Sequence, residues 1–546
     1  VLLRQNSLHD YPKGASMKKE SKTNKSRRDF LKGSLVAGGA SLALGVTGCA
    51  PKIAESPAGE APAGGPTFLN PPTAIKAGDI KETLSADIIV VGAGVCGLMA
   101  AYTAAKEGVK TILLEKSEKF NARGGHNAAL RSKIQLEEGL DYDPARVVAE
   151  LTKWANNNVD VGQEMAWAAN HSAIMDELLD MASERGIEVM RWGNDVPDQF
   201  YPEYKTVHMF GGMDQSILAG MLEGAAKELG AEFFYSTPAE QLVKDGTGRV
   251  TGVIAKDAEG TYKKFEAAKA VILCTGDYGN NPEMIQYYCP RAAEVDMNVY
   301  APPVNTGDGQ KMGIWIGAAM QKQEPHTPMV HNLGAAPFSG NPFLRVNVEG
   351  LRYENEDVPI PLMANSAQLQ PGHKTWTIYD STFEEDLPKM GTSFSRTNMV
   401  TERTLTGIDT AIESGSLIKA DTLDELATKI GVPVDAFKAT VARYNVLAGK
   451  GVDEDFGKNG EMMTAIDTGP FYAAYNSLAL LVVLGGLDVN SKFQVLDTEH
   501  KAIAGLFAAG NTAGNFFAND YPVIIPGLSH SRAWTTGRLA ALEAVK

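Results

Sequence analysis

The stretch from Ala86 to Ala101, A-D-I-I-V-V-G-A-G-V-C-G-L-M-A-A, constrains the fold of this chain more than any other. Asp87 to Val91 predict a buried parallel strand, because a strand covered on both faces reads as a continuous β-branched run and not as an alternation. Gly92, Gly94 and Gly97 follow in G-x-G-x-x-G spacing, and Leu98 to Ala105 are good helix formers. A second apolar strand, Thr111 to Leu114, ends at Glu115, 23 residues after Gly92. Strand, glycines, helix, strand and acid together form the fingerprint of a dinucleotide cradle. Gly92 permits a tight turn, Gly94 leaves room for a pyrophosphate, and Gly97 lets the helix lie close on the strand. The helix N-terminus offers unpaired N–H groups to phosphates. Glu115 is placed to accept hydrogen bonds from ribose hydroxyls.

A chain of 546 residues with 44% apolar and 21% charged residues has enough material for several domains with large cores. The net charge is −15. Residues 1–32 carry nine Lys/Arg and three Asp/Glu, so residues 33–546 hold 42 basic and 63 acidic side chains, a balance of −21. An acidic body argues against nucleic acid as a partner. The four cysteines, Cys49, Cys96, Cys274 and Cys289, form no C-x-x-C, which argues against a zinc ribbon or covalent haem; no metal site is expected.

The leader has its own chemistry. Met17 could start a basic n-region with Lys18, Lys19, Lys22 and Lys25. S-R-R-D-F-L-K, Ser26 to Lys32, resembles a twin-arginine export signal. Gly33 to Val46 form an apolar region too short to span a bilayer. V-T-G-C, Val46 to Cys49, resembles a lipoprotein box, with Cys49 as the lipidation site. The Pro/Ala/Gly composition of residues 50–80 reads as a tether. The folded part is expected from about Lys81.

Further along, Asp143 to Leu229 read as mainly helical, Gln241 to Lys256 as a hairpin, Asp421 to Lys450 as helical, and Val489 to Lys546 as strand, turn and helix. Four segments then line up in one order. A-V-I-L-C-T-G-D-Y-G (Ala270 to Gly279) is similar to the ATGG strand-turn of flavoproteins. N-T-G-D-G-Q-K-M-G (Asn305 to Gly313) is similar to their TGDG turn. V-N-V-E-G-L-R-Y-E-N-E (Val346 to Glu356) resembles a G-x-R-F-x-N-E cap segment, and G-L-F-A-A-G-N (Gly505 to Asn511) resembles the closing flavin strand. Together they resemble the fumarate reductase/succinate dehydrogenase flavoprotein superfamily, in its single-chain branch of soluble fumarate reductases, urocanate reductases and 3-ketosteroid dehydrogenases.

That resemblance implies an α/β fold: a Rossmann-like FAD-binding domain of the GR2 type, interrupted by an α+β capping domain. The expected boundaries are leader 1–49, linker 50–80, FAD domain 81–320, cap 321–483 and the second FAD segment 484–546. The resemblance also implies a non-covalent FAD held by Gly92, Gly94, Cys96, Gly97, Glu115, Gly124, Gly125, His126, Asn127, Thr275, Gly276, Asp308, Asn511 and Ser529. In fumarate reductases an arginine fed through a glutamate delivers the proton. Here Glu356 matches the glutamate, but the acid arginine would fall near Phe383 or Glu384, and the arginine that grips a substrate carboxylate would fall near Ile524. N-D-Y-P-V-I-I-P-G-L-S-H-S-R-A, Asn519 to Ala533, is instead similar to the Y-P-x-P-G turn of ketosteroid dehydrogenases. By that likeness Tyr521 is the expected electrophile or proton donor, with the Gly527 amide beside it. His530 and Arg532 are further catalytic candidates, and His326 and His331 are candidate substrate ligands.

The expectation is a reductase that passes a hydride from flavin to an activated C=C bond of an unsaturated carboxylate or enone. It would act as an exported respiratory enzyme in the cell envelope, at the outer face of the cytoplasmic membrane or in the periplasm. A separate cytochrome or FMN protein would donate electrons, and a lipid anchor would hold it to the membrane. The rivals are a 3-ketosteroid-type dehydrogenase and a non-catalytic flavin electron-transfer protein.

Overall fold

The computed structural model describes residues 65–192, 204–299, 304–332, 336–392 and 396–546. The expected export signal, the lipidation site Cys49 and most of the linker lie outside them. The last part of the expected linker packs against the body. Phe68 is buried against Tyr288, its carbonyl accepts from Trp315 Nε1 at 2.8 Å, and Thr67 Oγ1 donates to Glu283 at 2.7 Å.

The fingerprint forms the centre of the main sheet. Strand β1 (Ile80–Val91) leads through Gly92 to Gly94 into helix α1 (Val95–Lys106), which returns the chain to β2 (Thr111–Leu114). β1 and β2 pair in parallel, Ile88 opposite Thr111 and Val91 opposite Leu114. Beyond β2 lies β3 (Glu232–Phe234), also parallel. On the other side, β4 (Ala239–Lys244) and β5 (Val250–Lys256) form the predicted hairpin, and β6 (Tyr262–Leu273) runs parallel to β1 along its whole length. The first half of β6 carries β5, antiparallel. Its last three residues carry β8 (Ala502–Ala508), which is parallel and flanked by β7 (Gln494–Leu496). The order is β7-β8-β6-β1-β2-β3.

Ile88, Ile89 and Val90 are fully buried, as their continuous apolar run predicts. Full burial of such side chains contributes about 1.5–3 kcal/mol each. Small residues set the layer spacing. A Cβ on Gly97 would stand 1.8 Å from the Gly92 carbonyl oxygen, and one on Gly537 would stand 2.3 Å from the Cys96 carbonyl oxygen. Helix α1 is thereby pressed between β1 and the last helix, α2 (Leu528–Ala544). The helical expectation for 143–229 appears as Pro144–Trp154, Val161–Glu184 and Gln215–Glu228.

The interrupting part has its own antiparallel sheet, in the order Leu344–Asn347, Thr375–Tyr379, Phe471–Tyr475, Leu417–Ala420. Helix Val434–Lys450 lays Phe437, Val441 and Tyr444 against it. The chain enters and leaves this part through two paired strands, Pro328–Asn332 and Leu478–Val483, antiparallel with Pro328 opposite Val483 and Asn332 opposite Leu478. These boundary strands form one wall of the site.

Candidate functional site

A cavity of about 720 Å³ begins at the carboxyl ends of β1, β2 and β6 and extends to the boundary strands. Ligands in open α/β sheets bind at this edge, where the strand order reverses. One end is built from the fingerprint. Gly92 has φ +104° and a Cβ there would lie 2.4 Å from the Cys274 carbonyl oxygen, so this turn admits only glycine. Gly94 caps α1, and its Cβ position has no protein atom within 4 Å. Gly276, φ +78°, would meet Asn305 Nδ2 at 2.6 Å.

Glu115 is buried and fixed by two backbone donors, Ala93 N at 2.7 Å to Oε2 and Ser117 N at 2.8 Å to Oε1. Oε1 also accepts from Asn121 Nδ2 at 3.4 Å, so Oε2 is the oxygen that keeps a lone pair for a hydroxyl in the cavity. Asp308 accepts from Lys116 at 2.9 Å and pairs with Lys311 at 3.0 Å. Burial opposes its ionisation, but the two lysines hold its carboxyl below the usual carboxylate range. Thr275 Oγ1 accepts from Gly309 N at 3.1 Å, and Asn511 Nδ2 donates to Asp277 Oδ2 at 3.3 Å.

The other end is formed by the loop before α2, the start of α2 and the boundary strands. Tyr521, 4% exposed, packs with Val482, Phe517 and Leu528 in an apolar cluster that Met329 and Val523 also join. Its phenol oxygen accepts from Ser529 N at 3.0 Å. Burial pushes the phenol up to about 12, while the Ser529 amide and the Arg532 charge pull the other way. Gly527, φ +86°, caps α2 and sits so close to the Asn127–Ala128 backbone that a Cβ would be 2.8 Å from Ala128 N. His530 Nδ1 lies 2.8 Å from the His126 carbonyl oxygen and must donate to it, which leaves Nε2 unprotonated in the neutral ring. Burial lowers the pKa of His530; it also brings His126, stacked on Trp192, down to about 4, and His331 to about 3.

The cavity walls therefore bring together Gly92, Gly94, Cys96, Glu115, Gly124, Gly125, His126, Thr275, Gly276, Asp308, Asn511, Ser529, Tyr521, Gly527, His530 and His331. The thiol of Cys96 lies 3.5 Å from that of Cys274, both buried. Five expected residues stand elsewhere. Gly97 is consumed by helix packing. Asn127 is spent on Gln215, its Nδ2 donating at 2.9 Å and its Oδ1 accepting at 3.0 Å. His326 lies behind the cavity, stacked on Tyr288 with ring centroids 4.8 Å apart and bonded through Nδ1 to Tyr278. Glu356 is fully buried in the cap, gripped by Arg352 at 2.8 and 2.7 Å; it is part of an ion cluster that also holds Asp453. Arg532 does not itself line the cavity but lies beside its wall, close enough for its charge to act on Tyr521. Its guanidinium lies 5.0 Å over Phe517 and donates to Asn511. Burial lowers its pKa to about 10.

Residues not singled out from sequence also line the walls. Arg123 Nη1 donates to the Leu481 carbonyl at 3.0 Å, tying the glycine turn to a boundary strand. Met329, Leu481 and Val482 face the Tyr521 end. Arg123 immediately precedes Gly124, Gly125 and His126, but no local pattern reports a contact 358 residues away.

The cavity fits an FAD. It offers an open approach at Gly94, a carboxylate beyond it, and a second end long enough for a ring system against Gly124, His126 and Ser529. The family model for the FAD binding domain matches residues 87–521. The chain is 28% identical over 491 residues to a vinyl phenol reductase from Lactiplantibacillus plantarum, covering 85% of this chain and 97% of the relative. It is 26% identical to a 3-oxosteroid 1-dehydrogenase from Mycolicibacterium smegmatis, covering 84% and 96%. Among solved structures, the open conformation of a flavocytochrome c3 fumarate reductase superposes with a TM-score of 0.64 at 25% identity, covering 86% of this chain and 79% of that one.

Proposed function

We propose a reaction from one premise: this chain belongs to the FAD binding domain family, and within it to the single-chain fumarate reductase/succinate dehydrogenase branch. It is an FAD-dependent oxidoreductase acting on CH–CH groups, which sets aside a purely electron-transferring role. The reaction we infer is reduction of a C=C bond conjugated to an electron-withdrawing group. FAD, held by Gly92, Gly94, Glu115, Thr275, Asp308 and Asn511, supplies the hydride when bound.

The observation that carries the reading is Tyr521. Its phenol is protonated at neutral pH, faces the cavity, and accepts an N–H from Ser529 at the start of α2. A proton given from this phenol to the α carbon leaves a phenolate that keeps the Ser529 hydrogen bond and the favourable field of a helix N-terminus. The two units added, hydride and proton, saturate the bond. Pro522 and Pro526 stiffen the loop that aims the phenol.

We further propose that the enzyme is exported. Ser26 to Lys32 support the twin-arginine route, and Val46 to Cys49 support a lipid anchor at Cys49 on the outer face of the membrane. Export favours electrons from a separate cytochrome or FMN protein in a respiratory chain.

The test is Tyr521→Phe. Loss of a general acid lowers the rate about 10²–10⁴-fold. The FAD content should stay unchanged, since the variant keeps the ring. A loss below about tenfold sinks the assignment.

A further inference from the structure

We propose that Arg532 is the positioning residue of Tyr521: its buried guanidinium is the countercharge for the phenolate that Tyr521 becomes on giving up its proton. The proposal rests on the reading of Tyr521 as the acid and assigns the charge that strengthens that acid.

Helix geometry brings Arg532 to this place. Ser529, whose N–H donates to the phenol oxygen at 3.0 Å, stands in the first turn of α2, and Arg532 follows three residues later. Residues three apart share a helix face, with Cβ atoms about 5–6 Å from one another. Phe517 is a common neighbour. Its ring centroid is 5.5 Å from that of Tyr521 and 5.0 Å from the guanidinium carbon of Arg532.

Arg532 is 2% exposed, yet among the described residues no carboxylate forms an ion pair with it. It donates through Nη2 to Asn511 and lies over the rings of Phe516 and Phe517, and its buried Nε has no hydrogen-bond partner among the described residues. Asp277 is reached through Asn511, whose Nδ2 donates to Asp277 Oδ2 at 3.3 Å. A buried cation held by neutral groups is costly, and a negative charge appearing beside it lowers that cost. Burial brings the Arg532 pKa down to about 10, which leaves it charged at neutral pH.

The other ionisable groups around Tyr521 do not supply this charge. Burial lowers His331 to about 3 and His126 to about 4, and it lowers His530, so the three imidazoles are neutral at pH 7. Asp520 accepts from Tyr521 N at 2.8 Å and bears the wrong sign. Arg123 is tied to the Leu481 carbonyl and acts on His530. Burial raises Tyr521 itself, and the Ser529 amide and the Arg532 charge oppose that rise.

In the step, the Tyr521 O–H bond breaks and its electron pair stays on the phenol oxygen. The proton joins the α carbon through the pair that the hydride displaces from the C=C bond. The Ser529 N–H and the α2 N-terminus meet the new charge at close range; Arg532 adds a full countercharge. At the separation that Phe517 sets, about 10 Å at most, a unit charge in an effective dielectric of about 20 changes an ionisation about tenfold.

The experiment is a double-mutant cycle on FAD-loaded protein, read by stopped-flow reoxidation of the photoreduced flavin. The acceptor is whichever of fumarate, urocanate, cinnamate and 4-hydroxystyrene reoxidises the wild type fastest. Arg532→Gln keeps an N–H for Asn511 and removes the charge. It should slow reoxidation about tenfold in the wild-type background and less than about twofold in Tyr521→Phe. The second readout is the 19F resonance of 3-fluorotyrosine placed at position 521. Its titration midpoint should rise by about one pH unit in Arg532→Gln and by less than half of that in Arg532→Lys, which keeps the charge. Arg532→Met, which leaves no polar group buried, takes the place of Arg532→Gln if that variant does not load FAD. Equal losses in both backgrounds, or an unmoved midpoint, overturn the role of Arg532 and leave Tyr521 as the acid. A loss below about tenfold in Tyr521→Phe alone, or no reoxidation by any of the alkenes, overturns the acid reading and this proposal with it.

Discussion

Two glycines of one motif should fail in opposite ways when replaced by alanine. Gly94 has φ −77° and ψ 174°, extended backbone open to any residue, and its added Cβ would touch no protein atom within 4 Å. Gly94→Ala should leave the apoprotein fold intact and stabilise it by about 0.4–1 kcal/mol, because alanine restricts the unfolded chain. Its methyl group would project into the space that the pyrophosphate needs. Overpacking of that kind costs about 1–3 kcal/mol, which weakens FAD binding about 5- to 150-fold.

Gly97→Ala places its Cβ 1.8 Å from the Gly92 carbonyl oxygen and 3.3 Å from Cys274 Cβ. The first contact is backbone against a rigid turn, so no rotamer relieves it and α1 must lift from β1. The cost falls on the fold, at about 3 kcal/mol or more. The assay has two parts: apoprotein thermal unfolding by circular dichroism, and FAD titration of each apoprotein by flavin fluorescence. Gly94→Ala should lose affinity at unchanged or raised Tm; Gly97→Ala should lose Tm. Wild-type FAD affinity in Gly94→Ala would falsify the placement of the pyrophosphate at this turn.

Three other outcomes follow from the same structure. Burial lowers His171 to about 4 and His208 to about 3, whereas the unfolded chain protonates its histidines near 6.5. The unfolded state therefore binds more protons between these values, so stability should be full above about pH 6.5 and fall as pH drops toward 4, as read from urea unfolding at pH 7 and pH 5. Glu356→Gln removes one charge from a buried cluster and should destabilise the protein by about 3–5 kcal/mol. Because Glu356 lies outside the cavity, kcat/KM at 20 °C should change little; a loss comparable to that of Tyr521→Phe would restore it to the proton pathway. Cys96 and Cys274 line the cavity and Cys289 does not. Stripping the FAD should speed alkylation of the first two at least about tenfold and leave Cys289 unchanged, as mass spectrometry of tryptic peptides would show.

The FAD half of the site was legible because each of its requirements is local. A tight turn, a close helix and a phosphate approach each demand glycine at a fixed spacing, and a buried parallel strand demands a continuous β-branched run. The eleven residues from Asp87 to Gly97 carry those demands whatever the rest of the chain does. Composition also marked 50–80 as a tether, but it averages over residues. One aromatic, Phe68, was enough to dock the end of that stretch against Tyr288.

The substrate half was decided by contacts that periodicity does not encode. Arg123 meets Leu481, and Tyr521 meets Ser529 across a turn whose shape depends on two prolines and Gly527. Glu356 and His326 carry the residue types that catalysis uses, but tertiary packing gave Glu356 to Arg352 and His326 to Tyr278 and Tyr288. A side-chain pattern specifies which face of an element is buried. Which partner a buried charge or imidazole finds there depends on how the layers stack. The sequence by itself thus determined that the chain cradles a dinucleotide, and its resemblance to flavoproteins that the dinucleotide is FAD; the tertiary structure decided which groups line the other end of the cavity.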